Sequence, residues 1–168
     1  MLINMNQMLS VAKKNHFAVG AYNVSNAELL KASVEQCEAD NAPGIIAVHP
    51  TELAYAKDDF FAYVLQRIRN SNVPFVLHLD HGDTIENVER AIHDGFSSVM
   101  IDGSLEDWDQ NVAVTKETVT ICHRVGVSVE GELGTIGQTG NHIKEHLQNG
   151  IYTQPDDAKK FVEETGVD

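Results

Sequence analysis

The sequence has few basic residues, few cysteines and no long apolar run. Its 168 residues include 12 Lys and Arg against 25 Asp and Glu, which gives a formal net charge of −13. A field of that sign repels nucleic acid and anionic membrane surfaces, so we expect neither as a partner. No apolar run reaches the length of a membrane span. The only two cysteines, Cys37 and Cys122, are expected to be buried reduced thiols.

Several other signatures are missing as well. The start, MLINMNQMLSVAKKNH, lacks the basic, apolar and small-residue regions of a signal peptide, so we expect a cytoplasmic protein. No G-x-G-x-x-G follows the first strand-like run, which argues against dinucleotide binding. No linker or low-complexity tract interrupts a chain that is 42% hydrophobic, so one globular domain is expected over 1–168.

Short β-rich apolar runs alternate with longer helical patterns. After a leading helix at 5–15, we expect strands at 17–22, 44–49, 74–79, 97–102 and 127–133. Helices are expected near 25–40, 58–70, 84–94, 105–125 and 155–165, with starts marked by capping pairs at Ser25, Asp83, Ser104 and Thr153. Five βα units predict an α/β fold with a parallel sheet. Both an open doubly wound sheet and part of an eight-fold barrel fit this pattern.

The third strand carries the clearest functional signal, in the stretch VPFVLHLDHG. Because side chains alternate along a strand, His78 and Asp80 are expected on one face. His81 is expected as the first residue past the strand, and Gly82 lets the chain turn there without crowding a ligand. A carboxylate and an imidazole thus meet at the sheet edge where barrel enzymes work.

The next two strands also end in carboxylates. Asp102 ends the fourth strand, and the fifth carries Glu130 and Glu132 on one face. Gathered at one rim, these groups would raise one another's pKa, and a divalent cation is the usual remedy. An imidazole with carboxylates suits zinc best, with manganese or iron as alternatives.

A purely structural interpretation competes for each of these residues, since a lone carboxylate more often caps a helix. Three consecutive strands that end this way favour a site. For His49, at the end of the second strand, a position on the rim and a position on the solvent-exposed surface are equally compatible with the sequence. His142 and His146 stand at i, i+4 in GTIGQTGNHIKEHLQNGIYTQP, which we expect to be a long loop and a candidate lid. Without an acidic partner, the two imidazoles are interpreted as a solvated face.

The stretches VLHLDHG, SVMIDGS and VSVEGELGTIG, with FAVGAYNVSN near the start, resemble the class II, metal-dependent ketose-bisphosphate aldolases that act on fructose or tagatose bisphosphate. The resemblance covers essentially the whole chain. It implies a (β/α)8 TIM barrel, of which this chain supplies about the first five βα units. It also implies a zinc-dependent cytoplasmic lyase, a homodimer or homotetramer, that cleaves a ketose 1,6-bisphosphate to dihydroxyacetone phosphate and glyceraldehyde 3-phosphate.

The resemblance also implies roles for single residues. Asp80 matches the family's catalytic acid and base, and His81 matches its first zinc ligand. Asp102 and Glu132 match carboxylates near the metal that can hold a second divalent or monovalent cation. Asn23, in YNVSN, matches a residue that hydrogen-bonds substrate.

The sequence departs from the family pattern in two places: at its end, near Asp168, and in the loop after ELG, which reads TIGQTGNHIKEH where the family often has an acidic Gly-Gly-x-Glu segment. These departures leave alternatives open. The family's other two zinc histidines and its glycine-rich phosphate loops lie beyond the point near Asp168 where the sixth strand should begin. The 168 residues alone are therefore expected to be inactive, and a non-catalytic half-barrel that acts only by association is one alternative. A metal-dependent sugar-phosphate epimerase is another. The preferred substrate epimer and the role of Glu145, the first acid after ELG, stay open.

Overall fold

The computed structural model describes residues 1–134 and 152–168, in which helices and strands alternate. The elements are α1 (Met5–Asn15), β1 (Gly20–Asn23), α2 (Ala27–Ala39), β2 (Gly44–Val48), α3 (Pro50–Arg69), β3 (Phe75–Gly82), α4 (Ile85–His93), β4 (Ser98–Ile101), α5 (Trp108–His123), β5 (Ser128–Gly131) and α6 (Pro155–Thr165). The leading helix and the five βα units are confirmed. Helix α3 starts well before the expected position near 58, because Pro50 fits its first turn, and it kinks at Lys57.

The five strands form one parallel sheet in the order β1-β2-β3-β4-β5. A doubly wound sheet reverses its strand order at a switch point, whereas a barrel adds each strand beside the previous one. The sequential order therefore selects the barrel-type arrangement. After α6 the chain returns to the edge of β5, where the Asp168 N–H donates to the Val129 carbonyl at 3.1 Å.

The two faces of the sheet have different partners. Alternate residues of β3, among them Phe75 and Leu77, join the main core between the sheet and the helices. The intervening Val76 lies in a second, smaller cluster with Ile45 and with Met8 of α1. Helix α1 thus packs on the face opposite the other helices, at the amino ends of the strands. The carboxyl ends are left for polar side chains.

The predicted capping residues are wrong by one to three positions. A cap must offer its side-chain oxygen to the N–H three residues on, and the exit of the chain from the strand decides which of several suitable side chains does so. The N-cap residues are Asn26, Thr84 and Asp107, whose side chains accept that bond, and Gln154, whose side chain makes no capping hydrogen bond, instead of Ser25, Asp83, Ser104 and Thr153. A complete capping box occurs in α1, between Asn4 and Gln7.

Both cysteines are buried free thiols, as predicted. Burial raises the pKa of Cys122 to about 12, so this thiol stays protonated near neutral pH. Among the described residues, no helix combines the length and the apolar character needed to cross a bilayer.

Candidate metal and catalytic site

A β-bulge at the end of β3 sets the geometry of the site. Leu79 pairs with Val99 and Gly82 pairs with Ile101, so two residues of β3, Asp80 and His81, oppose a single residue of β4. The backbone of His81 is left-handed there, with φ of 51°. The expectation that His81 lies just past the strand is therefore wrong, since β3 continues to Gly82. Simple alternation would put Asp80 and His81 on opposite faces, and the bulge turns His81 towards the rim instead.

His81 meets the two carboxylates that follow β4 and β5. Its Nδ1 lies 2.8 Å from Oδ2 of Asp102 and 3.6 Å from Oε2 of Glu132. Each of the three residues offers one ligand atom within 4.8 Å of the others. Asp102 is itself held, because its Oδ1 accepts the Ser104 N–H at 3.0 Å. One imidazole and two carboxylates at this spacing form a donor set that fits a divalent cation.

The sequence predicts raised pKa values for the carboxylates of this group, and only some of them are raised. The hydrogen bond with Asp102 raises the pKa of His81, which favours its charged form. Burial, together with the charge of Asp102, raises the pKa of Glu132. Burial opposes ionisation of Asp102 too, but hydrogen bonds from Ser104 and His81 outweigh it, and the pKa of Asp102 is lowered. The predicted upward shift is therefore wrong for Asp102, because it has donors that the sequence pattern does not show.

Asp80 lies beside this group and has a partner on another strand. Its Oδ2 accepts a hydrogen bond of 3.0 Å from Nδ2 of Asn23, at the end of β1. The charge of Asp80 also acts on both His81 and Glu132. His49 reaches the same rim, with its ring centre 6.4 Å from that of His81. The residues predicted from four separate strands are thus brought to one edge of the sheet.

His78 lies one layer below the rim and is almost fully buried. Its Nδ1 is 2.9 Å from the Ser98 hydroxyl and its Nε2 is 3.4 Å from Oε2 of Glu130. Burial lowers the pKa of His78 to about 4, so the ring is neutral near pH 7. We assign the tautomer that accepts from Ser98 at Nδ1 and carries its proton on Nε2, which faces the Glu130 carboxylate, because a carboxylate can only accept. The predicted role of His78, support of the strand end by hydrogen bonding, agrees with these contacts.

A second group of ligand-type side chains lies on the outer helices, at Asp58, His93 and Asp94. Here the guanidinium of Arg90 already contacts both carboxylates, at 3.1 Å from Asp58 and 3.8 Å from Asp94. A cation would have to displace that charge. We therefore interpret this group as an ion-pair cluster, which makes it a useful control for the rim.

Two residues that support the site were not predicted from the sequence. Ser98 and Asn111 are buried polar residues, 0% and 3% exposed. For Asn111 a signal existed: with Thr115, Thr118 and Cys122 it forms a stripe at helical spacing that is polar where a core stripe is usually apolar. The predictions for His142, His146 and Glu145, and for their loop, fall outside the described residues.

The chain is similar to proteins of one known family. The family model for class-II fructose-bisphosphate aldolase matches residues 3–168. A fructose-bisphosphate aldolase of Giardia intestinalis is 43% identical over 170 residues, which cover 99% of this chain and 51% of that protein. A Staphylococcus aureus fructose-bisphosphate aldolase is 40% identical over 173 residues, which cover 99% of this chain and 59% of the relative. The chain thus spans about half the length of the curated relatives it matches.

A solved structure extends the comparison to the fold. The crystal structure of the YdjI aldolase from Escherichia coli K12 superposes with a TM-score of 0.87 at 34% identity, over 100% of this chain and 63% of that one. With the sequential strand order, this likeness confirms the barrel interpretation. The sheet is a partial TIM barrel made of five consecutive βα units.

Proposed function

Because the chain belongs to the class II fructose-bisphosphate aldolase family, we propose that the complete protein cleaves a ketose 1,6-bisphosphate, fructose or tagatose, in a metal-dependent retro-aldol reaction. The products are dihydroxyacetone phosphate and glyceraldehyde 3-phosphate. The observation that carries the proposal is the convergence of Asp80, His81, Asp102 and Glu132 on one rim. The same family membership is the ground for proposing a cytoplasmic homodimer or homotetramer whose barrel domain includes residues 1–168.

Zinc is the proposed cation, and His81, Asp102 and Glu132 are the residues that would hold it. While Asp102 is hydrogen-bonded to Nδ1 of His81, Nε2 is the nitrogen left for a metal, and Asp102 would help to hold the cation indirectly, by orienting the ring, or as an alternate ligand. Glu132, farther from the ring, can approach as a direct or alternate ligand. When bound, the cation acts as a Lewis acid that polarises the substrate ketone.

Asp80 is the proposed proton carrier. In the cleavage direction it accepts the proton of the C4 hydroxyl while the C3–C4 bond breaks, C4 becomes an aldehyde carbon, and the bonding electrons pass to C3 and the neighbouring carbonyl. C3 then gains a proton, which completes dihydroxyacetone phosphate. The amide of Asn23 holds the Asp80 carboxylate from the side, at 3.0 Å. Asn23 is therefore proposed to position Asp80 as well as to bind substrate.

The direct test is turnover with and without metal. Protein stripped of metal by EDTA should cleave neither bisphosphate, and added zinc should restore triose formation. Borohydride with substrate should trap no lysine adduct. His81→Ala should lose metal binding and turnover together, whereas His93→Ala, in the outer ion-pair cluster, should keep both.

Full activity after exhaustive chelation would overturn the proposal. Conversion of one bisphosphate to its epimer, with no triose released, would identify an epimerase instead. For the 168-residue chain by itself, sedimentation at several concentrations tests the half-barrel alternative, because β1 and β5 are the edges of the described sheet. A stable monomer would argue against association through those edges.

A further inference from the structure

Asn111 connects the outer helix layer to the end of β5. It lies in the first turn of α5 and is 3% exposed. Its Nδ2 donates to the backbone carbonyl of Glu132 at 2.8 Å. The hydroxyl of Thr115 donates to Asn111 Oδ1 at 3.3 Å, which fixes the orientation of the amide. The carbonyl of Glu132 is thereby held on the helix side while its carboxylate reaches towards His81.

The Asn111 side chain also packs closely against the segment that carries Asp102. A Cβ added at Gly103 would lie 2.5 Å from Oδ1, 2.9 Å from Cγ and 3.1 Å from Cα of Asn111. Gly103 is not in the left-handed region, so its small size serves close approach rather than an unusual backbone. The residue directly after Asp102 is thus in van der Waals contact with the amide that binds Glu132.

Both carboxylates lie past the ends of their strands. The Asp102 N–H still donates to the Gly82 carbonyl of β3 at 2.8 Å, whereas the Glu132 carbonyl is held by Asn111. We propose that Asn111 is a positioning residue of the rim site, which sets the separation of the Asp102 and Glu132 segments and so preorganises them for a divalent cation. This inference rests on the proposed metal site. Without the amide, the Glu132 segment would lose its hydrogen bond to α5, and binding a cation would require that segment to be ordered against Asp102 first.

A buried asparagine could instead serve stability alone, so the test must separate the two roles. Asn111→Asp keeps the shape but replaces the Nδ2 donor by an oxygen that repels the Glu132 carbonyl. We expect zinc affinity, measured on metal-free protein by competition with a chelating dye, to fall about 10- to 100-fold. The matched control is Thr118→Val, on the same helix and equally buried, whose hydroxyl donates only to Val114. It should bind zinc as the unmodified protein does.

A second variant changes the Gly103 side of the contact between Gly103 and Asn111. It tests the proposal even if Asn111→Asp does not fold. Gly103→Ala should displace Asn111 and also weaken zinc binding. Asn111→Ala removes Oδ1 and Cγ, the two atoms that the new methyl group would meet. The double variant, Gly103→Ala with Asn111→Ala, should therefore bind zinc no more weakly than Asn111→Ala alone. Additive losses in this cycle would contradict a shared contact.

Zinc binding by the unmodified protein distinguishes a failure of the Asn111 proposal from a failure of the proposed function. If the unmodified protein binds zinc and folded Asn111→Asp binds it equally well, the positioning role is overturned and the proposed function stands. A lower melting temperature with unchanged zinc affinity would likewise assign Asn111 to stability alone. If the unmodified protein binds no divalent cation, the proposed function itself fails.

Discussion

The imidazole of His81 and the carboxylate of Asp102 form a hydrogen bond of 2.8 Å that joins the bulge of β3 to the segment after β4. It raises the pKa of His81 and lowers that of Asp102. The two directions agree, because each partner stabilises the charged form of the other. The pair thus links the side chains of two neighbouring strand ends.

The first prediction follows from this pair. Asp102→Asn removes the negative partner, so the pKa of His81 should fall towards or below its ordinary value. An NMR titration of the His81 ring in metal-free protein should show the midpoint at lower pH in the variant. The matched control is Asp58→Asn, in the outer ion-pair cluster, which should leave the His81 midpoint where it is in the unmodified protein. An unchanged His81 midpoint would mean that Asp102 does not hold the ring.

The second prediction concerns the proposed proton carrier. Asp80→Asn should lower kcat about 10²- to 10⁴-fold, because the amide cannot accept the hydroxyl proton. Zinc affinity should stay close to that of the unmodified protein. The control is Asp83→Asn, whose carboxylate accepts from the side chain of Asn87 on the exposed start of α4. Retained turnover in Asp80→Asn would remove Asp80 from this role.

The third prediction concerns acid stability and His78. Burial lowers its pKa to about 4 in the folded protein, against an ordinary value of 6.5. Between these values the unfolded chain binds the extra proton, so the free energy of unfolding should decrease as the pH falls from 6.5 to 4. The loss is roughly 3 kcal/mol at most.

Urea unfolding at steps across this range measures the His78 contribution. His78→Asn removes the titrating ring, and its stability should depend less on pH over the same interval. His93→Asn, with a side chain that is 77% exposed, should retain the pH dependence of the unmodified protein. Identical slopes in all three proteins would exclude a buried neutral His78.

The fourth prediction compares two ion pairs. Arg67 donates to both oxygens of Glu38, at 2.8 and 2.7 Å, and the pair is about three-quarters buried. The hydrogen bonds from Arg67 lower the pKa of Glu38 to about 2. Glu38→Gln should lower the free energy of unfolding by about 1 kcal/mol near pH 7. Glu35→Gln, in the exposed pair with Lys31 at 3.9 Å, should change it little.

The pH dependence of the Glu38 effect has a definite sign. Because its folded pKa is depressed, the stabilisation is complete above the ordinary value of 4.5 and is lost as the pH falls towards 2. The difference between Glu38→Gln and the unmodified protein should therefore shrink over that range. A difference that stays constant down to pH 2 would contradict the ionic origin.

The sequence by itself determined the order of the elements and which residues end the strands. The apolar runs of β2 and β3 and the helical stripe of α4 are local periodicities, so they can be read without knowing the fold. The placement of Asp80, Asp102 and Glu132 near one edge follows from parallel strands, whose carboxyl ends share that edge. The motif resemblance added their expected roles, since local chemistry cannot distinguish a ligand from a proton carrier.

The tertiary structure decided what depends on residues far apart in the chain. The bulge that turns His81 to the rim depends on its pairing with β4, and the lowered pKa of Asp102 depends, besides the nearby Ser104, on a hydrogen bond from His81, 21 residues earlier in the chain. The contact of Asn111 with both Gly103 and Glu132 exists only because α5 packs across two strand ends. Such distances are fixed by packing between elements, whereas sequence periodicity specifies only the elements themselves.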